Sequence, residues 1–334
     1  MTASNPSRDE SSFRPGGRPP RAVPLDSTAQ LMNAISSQLG SQLSLVSLNG
    51  ARRPAPPALV LVGHGSRDPR ALSTVRTLID RIRELRPHLP VHLGHIELNE
   101  PLLPDTLAAL ADDSRAVLVP LLLSRGYHVK QDIPDAAAAA TRVRTHLAAP
   151  LGPHPLLVET LHARLTEAGW RTRMSDPARR ASAVVLAAAG SRDPESAVDT
   201  RRVAQLLAER LGVPVVPAYA SAAAPTVPAA VRALAARGRH RVAVASYFTA
   251  PGRFATACAE AAPWIAAAPL GAHPAMARLV LHRYDQTLAT TGSTTGSTTG
   301  STTGSTTGST TGSTTGSTTG STTDPASVPA LATA

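Results

Sequence analysis

The sequence predicts an α/β fold of two tandem, homologous lobes, each a doubly wound parallel sheet flanked by helices. Three observations predict it. First, the middle of the 334-residue chain repeats itself. LVLVGHGSRDP at Leu59–Pro69 matches VVLAAAGSRDP at Val184–Pro194, and VLVPLLLSRG at Val117–Gly126 matches AVASYFTAPG at Ala243–Gly252. Pro90-Val91 matches Pro214-Val215, Pro101 matches Pro225, and APLGPHP at Ala149–Pro155 matches APLGAHP at Ala268–Pro274. These matches run in order at offsets of 119 to 126 residues, so two related halves lie in tandem. Second, short apolar runs alternate with longer helical patterns, which is the order of parallel βαβ units. Third, the runs are continuously apolar, as strands buried on both faces are.

Taken in order, Ala58–Val62 is the first strand. Asp68-Pro69 then opens a helix to about Leu85, because proline is tolerated where the first helical N–H has no partner. Val91–Leu98 reads as the second strand, and Pro101 opens a second helix to Leu110. Ala116–Leu123 is the third strand, followed by a helix through Ala136 to Arg144. A short fourth strand falls near His146–Ala149, and Pro155 opens a closing helix. The expected divisions are an N-terminal arm (1–57), a first lobe (58–173), a degenerate second lobe (181–289) and a tail (290–334).

The two ends are built differently. The arm is rich in Ser, Pro, Gly and Arg and reads as disordered, with at most a short helical stretch near Thr28–Leu39. The tail holds eight tandem Gly-Ser-Thr-Thr copies from Gly292 to Thr323, a flexible composition. The first residues show no apolar signal core, and no run approaches the roughly 18 apolar residues that cross a bilayer. The single cysteine, Cys258, excludes an internal disulfide framework and points to the cytoplasm.

Net charge is +10, almost all the basic groups are Arg, and Lys130 is the only lysine. A positive field attracts polyanions, either nucleic acid or a small polycarboxylate. With 3% aromatic residues and no RNP motif there is no stacking platform for bases, so nucleic acid and membrane are not expected partners.

In parallel sheets the loops after each strand leave on one edge, where ligands bind. Three first-half segments reach that edge: Gly63–Asp68, His95–Pro101 and Ser124–Pro134. They carry His64, Glu97 and His128. Two imidazoles and a carboxylate in one cleft hold a borderline divalent metal with open positions, and imidazoles also move protons. Duller readings stand beside this one: His64 as a turn residue between glycines, and His128 as a helix-capping group. Glu97, at the end of a buried-looking strand, needs a partner in either case. His95 shares its strand face, and Glu100 reads as a helix N-terminal acid. The loop fits neither a nucleophile elbow nor a phosphate-binding fingerprint. The second half is an internal control: it keeps GSRDP but has Ala189, Ser221 and Phe254 where the first has His64, Glu97 and His128. Framework kept and all three lost together favours chemistry in the first half.

GHGSRDP, the glutamate of IELNEP and PLLLSRGYHVKQDIP together resemble the class II chelatases of tetrapyrrole biosynthesis, most of all the sirohydrochlorin chelatases in their two-lobe bacterial form, relatives of the anaerobic cobalt chelatase. The resemblance covers about Ala58 to Leu288. It implies a bilobal flavodoxin-like fold with a cleft between lobes. It also implies a lyase that inserts Fe2+ (leading reading) or Co2+ into sirohydrochlorin without ATP, with no permanent cofactor. His64 and His128 are then the catalytic pair, and Glu97 joins them as metal ligand. The tetrapyrrole's carboxylates would meet Ser66, Arg67, Arg125, Arg192 or Arg253 at the strand ends. A monomer in the cytoplasm, serving siroheme or alternatively cobalamin synthesis, completes the expectation, with a non-catalytic metal or tetrapyrrole carrier as the alternative from another class.

Overall fold

A computed structural model describes residues 56–295, and from Pro57 onward these form one compact unit. The arm with its Thr28–Leu39 stretch, and the repeats past Thr295, lie outside the described residues.

Strands β1 (Ala58–Gly63), β2 (Val91–His95), β3 (Arg115–Pro120) and β4 (Arg144–Leu147) pair in parallel in the order β2-β1-β3-β4. Strands β5 (Ser182–Ala188), β6 (Val215–Tyr219), β7 (Arg241–Tyr247) and β8 (Ile265–Ala266) pair in the order β6-β5-β7-β8. The sequence repeat is thus a repeat of topology. Leu59 to Val62 on β1 and Ala183 to Ala187 on β5 are fully buried, which is why neither strand alternates polar with apolar residues.

The helices are α1 (Pro69–Leu85), α2 (Leu103–Ala108), α3 (Tyr127–Lys130), α4 (Asp132–Ala139), α5 (Pro155–Glu167), α6 (Asp176–Ala181), α7 (Pro194–Leu211), α8 (Val227–Ala235), α9 (Arg253–Glu260) and α10 (Pro274–Thr295). The shared GSRDP sequence is explained by its helix starts. Asp68 accepts the Arg70 N–H and Asp193 accepts the Glu195 N–H, each with proline at the next position.

The closing helices trade lobes. Helix α5 ends the first half but packs on β7 and α7, and α10 ends the second but packs on β3 and α1. Arg164 of α5 donates to the Leu270 carbonyl, and its counterpart Arg283 of α10 donates to that of Leu151. Glu159 and Arg278, at equivalent positions on the two helices, pair at 2.5 Å. One apolar core therefore runs through both sheets and includes Leu61, Leu157, Leu186 and Leu279. Smaller cores cover the outer faces, around Val60, Leu103 and Ile133 in one half and Val185, Ala218 and Leu234 in the other.

Six expected boundaries shift. Strand β3 runs Arg115–Pro120 rather than to Leu123, because the Leu122 and Leu123 carbonyls turn to the Leu151 N–H and the Tyr247 hydroxyl, and β4 runs Arg144–Leu147 rather than His146–Ala149. Strand β2 stops at His95 rather than Leu98, because the chain turns back and His95 N–H bonds the Pro101 carbonyl. Helix α2 begins at Leu103 rather than Pro101 and ends at Ala108. The helix expected through Ala136–Arg144 is two short ones: Gln131, at φ −126° and ψ −70°, breaks α3 from α4, and Arg144 opens β4. Finally α10 continues to Thr295, past the expected start of the tail at Thr290.

Candidate active site

The first two loops are stitched together by backbone. Ile96 N–H bonds the Gly63 carbonyl and Glu97 N–H bonds that of His64. Gly65 sits in the left-handed region at φ +99°, and a Cβ there would lie 1.9 Å from the Glu97 carbonyl oxygen. Only glycine allows this approach, which brings His64 Nε2 within 3.3 Å of Glu97 Oε1. The second half repeats the backbone: Gly190 has φ +92°, its Cβ would lie 1.8 Å from the Ser221 oxygen, and Ser221 N–H bonds the Ala189 carbonyl. The equivalence of His64 with Ala189 and Glu97 with Ser221 is therefore spatial as well as sequential.

His128 arrives on the single turn α3. Its Nδ1 lies 2.5 Å from Oδ2 of Asp132, four residues on at the start of α4, and its ring stands edge-on to that of His64 with centroids 4.7 Å apart. His64, Glu97 and His128 expose 41%, 54% and 36% of their side chains, all toward one cleft. The cleft is a cavity of about 1290 Å³ lined by both lobes. Its first-lobe wall carries the histidines; its second-lobe wall sets apolar groups such as Ala188, Ala189, Phe248, Pro251 and Phe254 among serines, threonines and Arg253. The lobes meet reciprocally there: a Cβ on Gly126 would lie 3.6 Å from Ser191 Oγ, and one on Gly252 would lie 3.7 Å from Ser66 Oγ.

The structure thus gathers His64, Glu97 and His128, but differently from the sequence expectation. Glu97 is not buried at a strand end; it stands in the exposed loop past β2, so no burial penalty forces a partner on it. Among the described residues no group of three or more His, Cys, Asp or Glu is disposed to hold a metal ion, so the expected three-ligand set is not preformed. His95 also lines the cleft but is nearly buried, with Nδ1 3.2 Å from the Pro101 carbonyl, and burial pushes its pKa down. Glu100 is exposed and does not line the cleft.

The polar candidates divide. Arg67 and Arg253 are exposed and line the cleft. Arg125 lines it too, but its guanidinium is held by Asp199 and Glu195. Arg192 is exposed yet does not line the cavity. Ser66 Oγ accepts the Asp68 N–H at 3.1 Å while its own N–H donates to Asn99 Oδ1 at 2.7 Å, a turn-forming pair of bonds. Sequence reasoning missed Asp132, whose i,i+4 spacing from His128 was a readable signal. It also missed Asp199, Asn99 and Tyr247, whose roles depend on contacts far away in the chain.

A family model, CbiX, matches residues 58–168 and 183–287. The chain is 38% identical over 80 residues to a sirohydrochlorin cobaltochelatase of Methanococcus aeolicus, covering 23% of this chain and 56% of that protein. It is 29% identical over 178 residues to a sirohydrochlorin ferrochelatase of Bacillus subtilis, covering 50% of this chain and 64% of that protein. The chain spans about half the length of the first of these relatives. Among solved structures, SirB from Bacillus subtilis with Fe3+ superposes with a TM-score of 0.58 at 23% identity, over 71% of this chain and 98% of that one, a likeness of fold.

Proposed function

Because this chain belongs to the CbiX family, we propose that it is an ATP-independent sirohydrochlorin chelatase, a lyase that inserts a divalent metal, iron in the leading reading, on the way to siroheme. One observation carries the reading. His64 and His128 stand edge-on at 4.7 Å with Glu97 beside His64, while the same backbone in the other lobe presents Ala189, Ser221 and Phe254 to the same cleft.

Insertion exchanges two pyrrole N–H protons for one divalent ion, so the site must hand over an ion and accept protons. Asp132, 2.5 Å from His128 Nδ1, fixes that nitrogen as the donor and leaves the Nε2 lone pair free. The His64–Glu97 pair presents lone pairs to an ion or shares a proton between its members. Groups carried on separate loops and partly exposed can release an ion in transit, where a closed cage would retain it. Arg67 and Arg253, exposed and lining the cleft, would meet the substrate's carboxylates, and the apolar groups of the second wall would face the macrocycle.

Cobalt insertion for cobalamin synthesis is the second reading, favoured by the naming of similar relatives for either metal and by the poor discrimination of His and carboxylate groups between neighbouring divalent ions. We place the protein in the cytoplasm as a monomer acting on a small polycarboxylate rather than nucleic acid. Among the described residues no helix is long and apolar enough to cross a membrane. The exchanged helices α5 and α10 already join both walls of the cleft in one chain. Gel filtration at twice the chain mass would contradict the monomer.

The reading is tested with protein far below the sirohydrochlorin concentration and Fe2+ or Co2+ in excess, following the absorption spectrum. Many turnovers per protein are expected. Conversion that stops at one equivalent would make the protein a carrier.

A further inference from the structure

We propose that Asp199 is a positioning residue for His128: through Arg125 it clamps the loop bearing the imidazole to the second lobe, so that the lobe lacking the reactive side chains holds those of the other. This rests on the chelatase reading. His128 lies between Arg125 and Lys130, and both are anchored across the cleft. The Asp199 carboxylate, only 3% exposed, accepts the Arg125 backbone N–H at 2.9 Å, Nε at 3.0 Å and Nη2 at 2.7 Å. Glu195 takes Nη1 at 2.8 Å. Lys130, the chain's only lysine, reaches Asp193 at 2.6 Å and Glu195 at 2.5 Å. Ser124 and Ser196 hydroxyls meet at 2.8 Å, and the Tyr247 hydroxyl donates to the Leu123 carbonyl at 2.8 Å.

Two features separate this clamp from general adhesion between lobes. The turn that carries His128 has no buried residue of its own, and the nearest buried side chain, Ile133, lies past the break at Gln131, so polar contacts fix the place of α3. The clamp is also one-sided. The repeat equivalents of Asp199, Ser196, Glu195 and Tyr247 are Thr74, Ala71, Arg70 and Leu121, and those of Arg125 and Lys130 are Pro251 and Thr256. Some contacts between the halves recur at both repeat positions, as Arg164–Leu270 and Arg283–Leu151 do, and others, such as Arg86–Asp285, stand alone far from the cleft. The asymmetric set falls on the side that carries His128. A nearly buried carboxylate is tolerable only when its bonds are made, so the clamp is rigid.

The test is Asp199→Asn in the full chain, with Glu159→Gln as the control that breaks a different contact between α5 and α10. Asp199→Asn should lower kcat for metal insertion roughly 10- to 100-fold while KM for the tetrapyrrole changes less than about threefold, the signature of a misplaced group. Glu159→Gln should leave kcat unchanged. Independently of activity, the His128 ring signals in NMR, assigned with His128→Gln, should broaden in Asp199→Asn while those of His64 stay sharp. Should Asp199→Asn fail to fold, Tyr247→Phe, which deletes one bond to the same loop, carries the same test with a smaller loss. Unchanged kcat with unchanged His128 signals, or an equal loss in Glu159→Gln, overturns the positioning role. A wild-type chain without insertion activity overturns the chelatase reading instead, and the NMR comparison then decides the clamp.

Discussion

At the scale of single residues, orientation of a few groups decides the chemistry. Asp132 holds His128 by its Nδ1 and so fixes the orientation of the ring. Asp132→Asn keeps the shape and loses the charged acceptor, and is expected to slow insertion about 10-fold or more, as loss of an orienting partner does. Steady-state rates at fixed metal concentration check this, and an unchanged rate would contradict it. Gly65 makes the other decisive contact. Gly65→Ala and Gly190→Ala should each cost about 3 kcal/mol in urea unfolding, because both strain a left-handed backbone against a facing carbonyl. Only Gly65→Ala should also abolish insertion in the fraction that stays folded. His64, Glu97 and His128 were legible as a set because the repeat shows where they vanish. Asp199 was not, because its meaning comes from Arg125, 74 residues away in the chain.

At the scale of elements, the exchange of α5 and α10 makes two lobes into one cooperative body. Leu279 on α10 is fully buried in the shared core. Leu279→Ala should cost about 2–5 kcal/mol and leave a single unfolding transition, coincident by circular dichroism and tryptophan fluorescence. Two separated transitions would show that the lobes unfold independently. The strands and their order of appearance were legible, because buried runs such as Leu59–Val62 admit no other reading next to proline-started helices. The exchange was not legible, since the amphipathic pattern of a closing helix shows that one face is covered and not by which sheet. The end of β2 failed for a related reason: Ile96 and Glu97 are held by bonds to the Gly63 and His64 carbonyls, and no local pattern announces that.

At the scale of the whole molecule, several imidazoles are held neutral by burial. Burial, with Arg283 and His282 nearby, pushes His154 down to about 4, and burial also lowers His95, His162 and His273. A base whose folded pKa is depressed gives its full stability above its unfolded pKa and loses it as pH falls toward the folded one. Tm is therefore expected to be level above about pH 7 and to fall between about 6.5 and 4. His154→Asn keeps a cap for the Leu156 N–H and removes the titration, so its decline should be shallower. An identical slope would show that other groups govern it. A chain cut to residues 51–295 should keep its insertion rate within about twofold, since every group argued to touch the reaction lies inside that range.

The central claim is that one lobe inserts the metal with His64 and His128 while the other forms the opposing wall. Its most direct test is the absorption change of sirohydrochlorin on adding Fe2+ or Co2+, run with the wild-type chain, His64→Ala and His128→Ala side by side. The account predicts catalytic insertion by the wild type and a fall to the protein-free rate in both variants. Insertion that survives in both would place the chemistry elsewhere and contradict it.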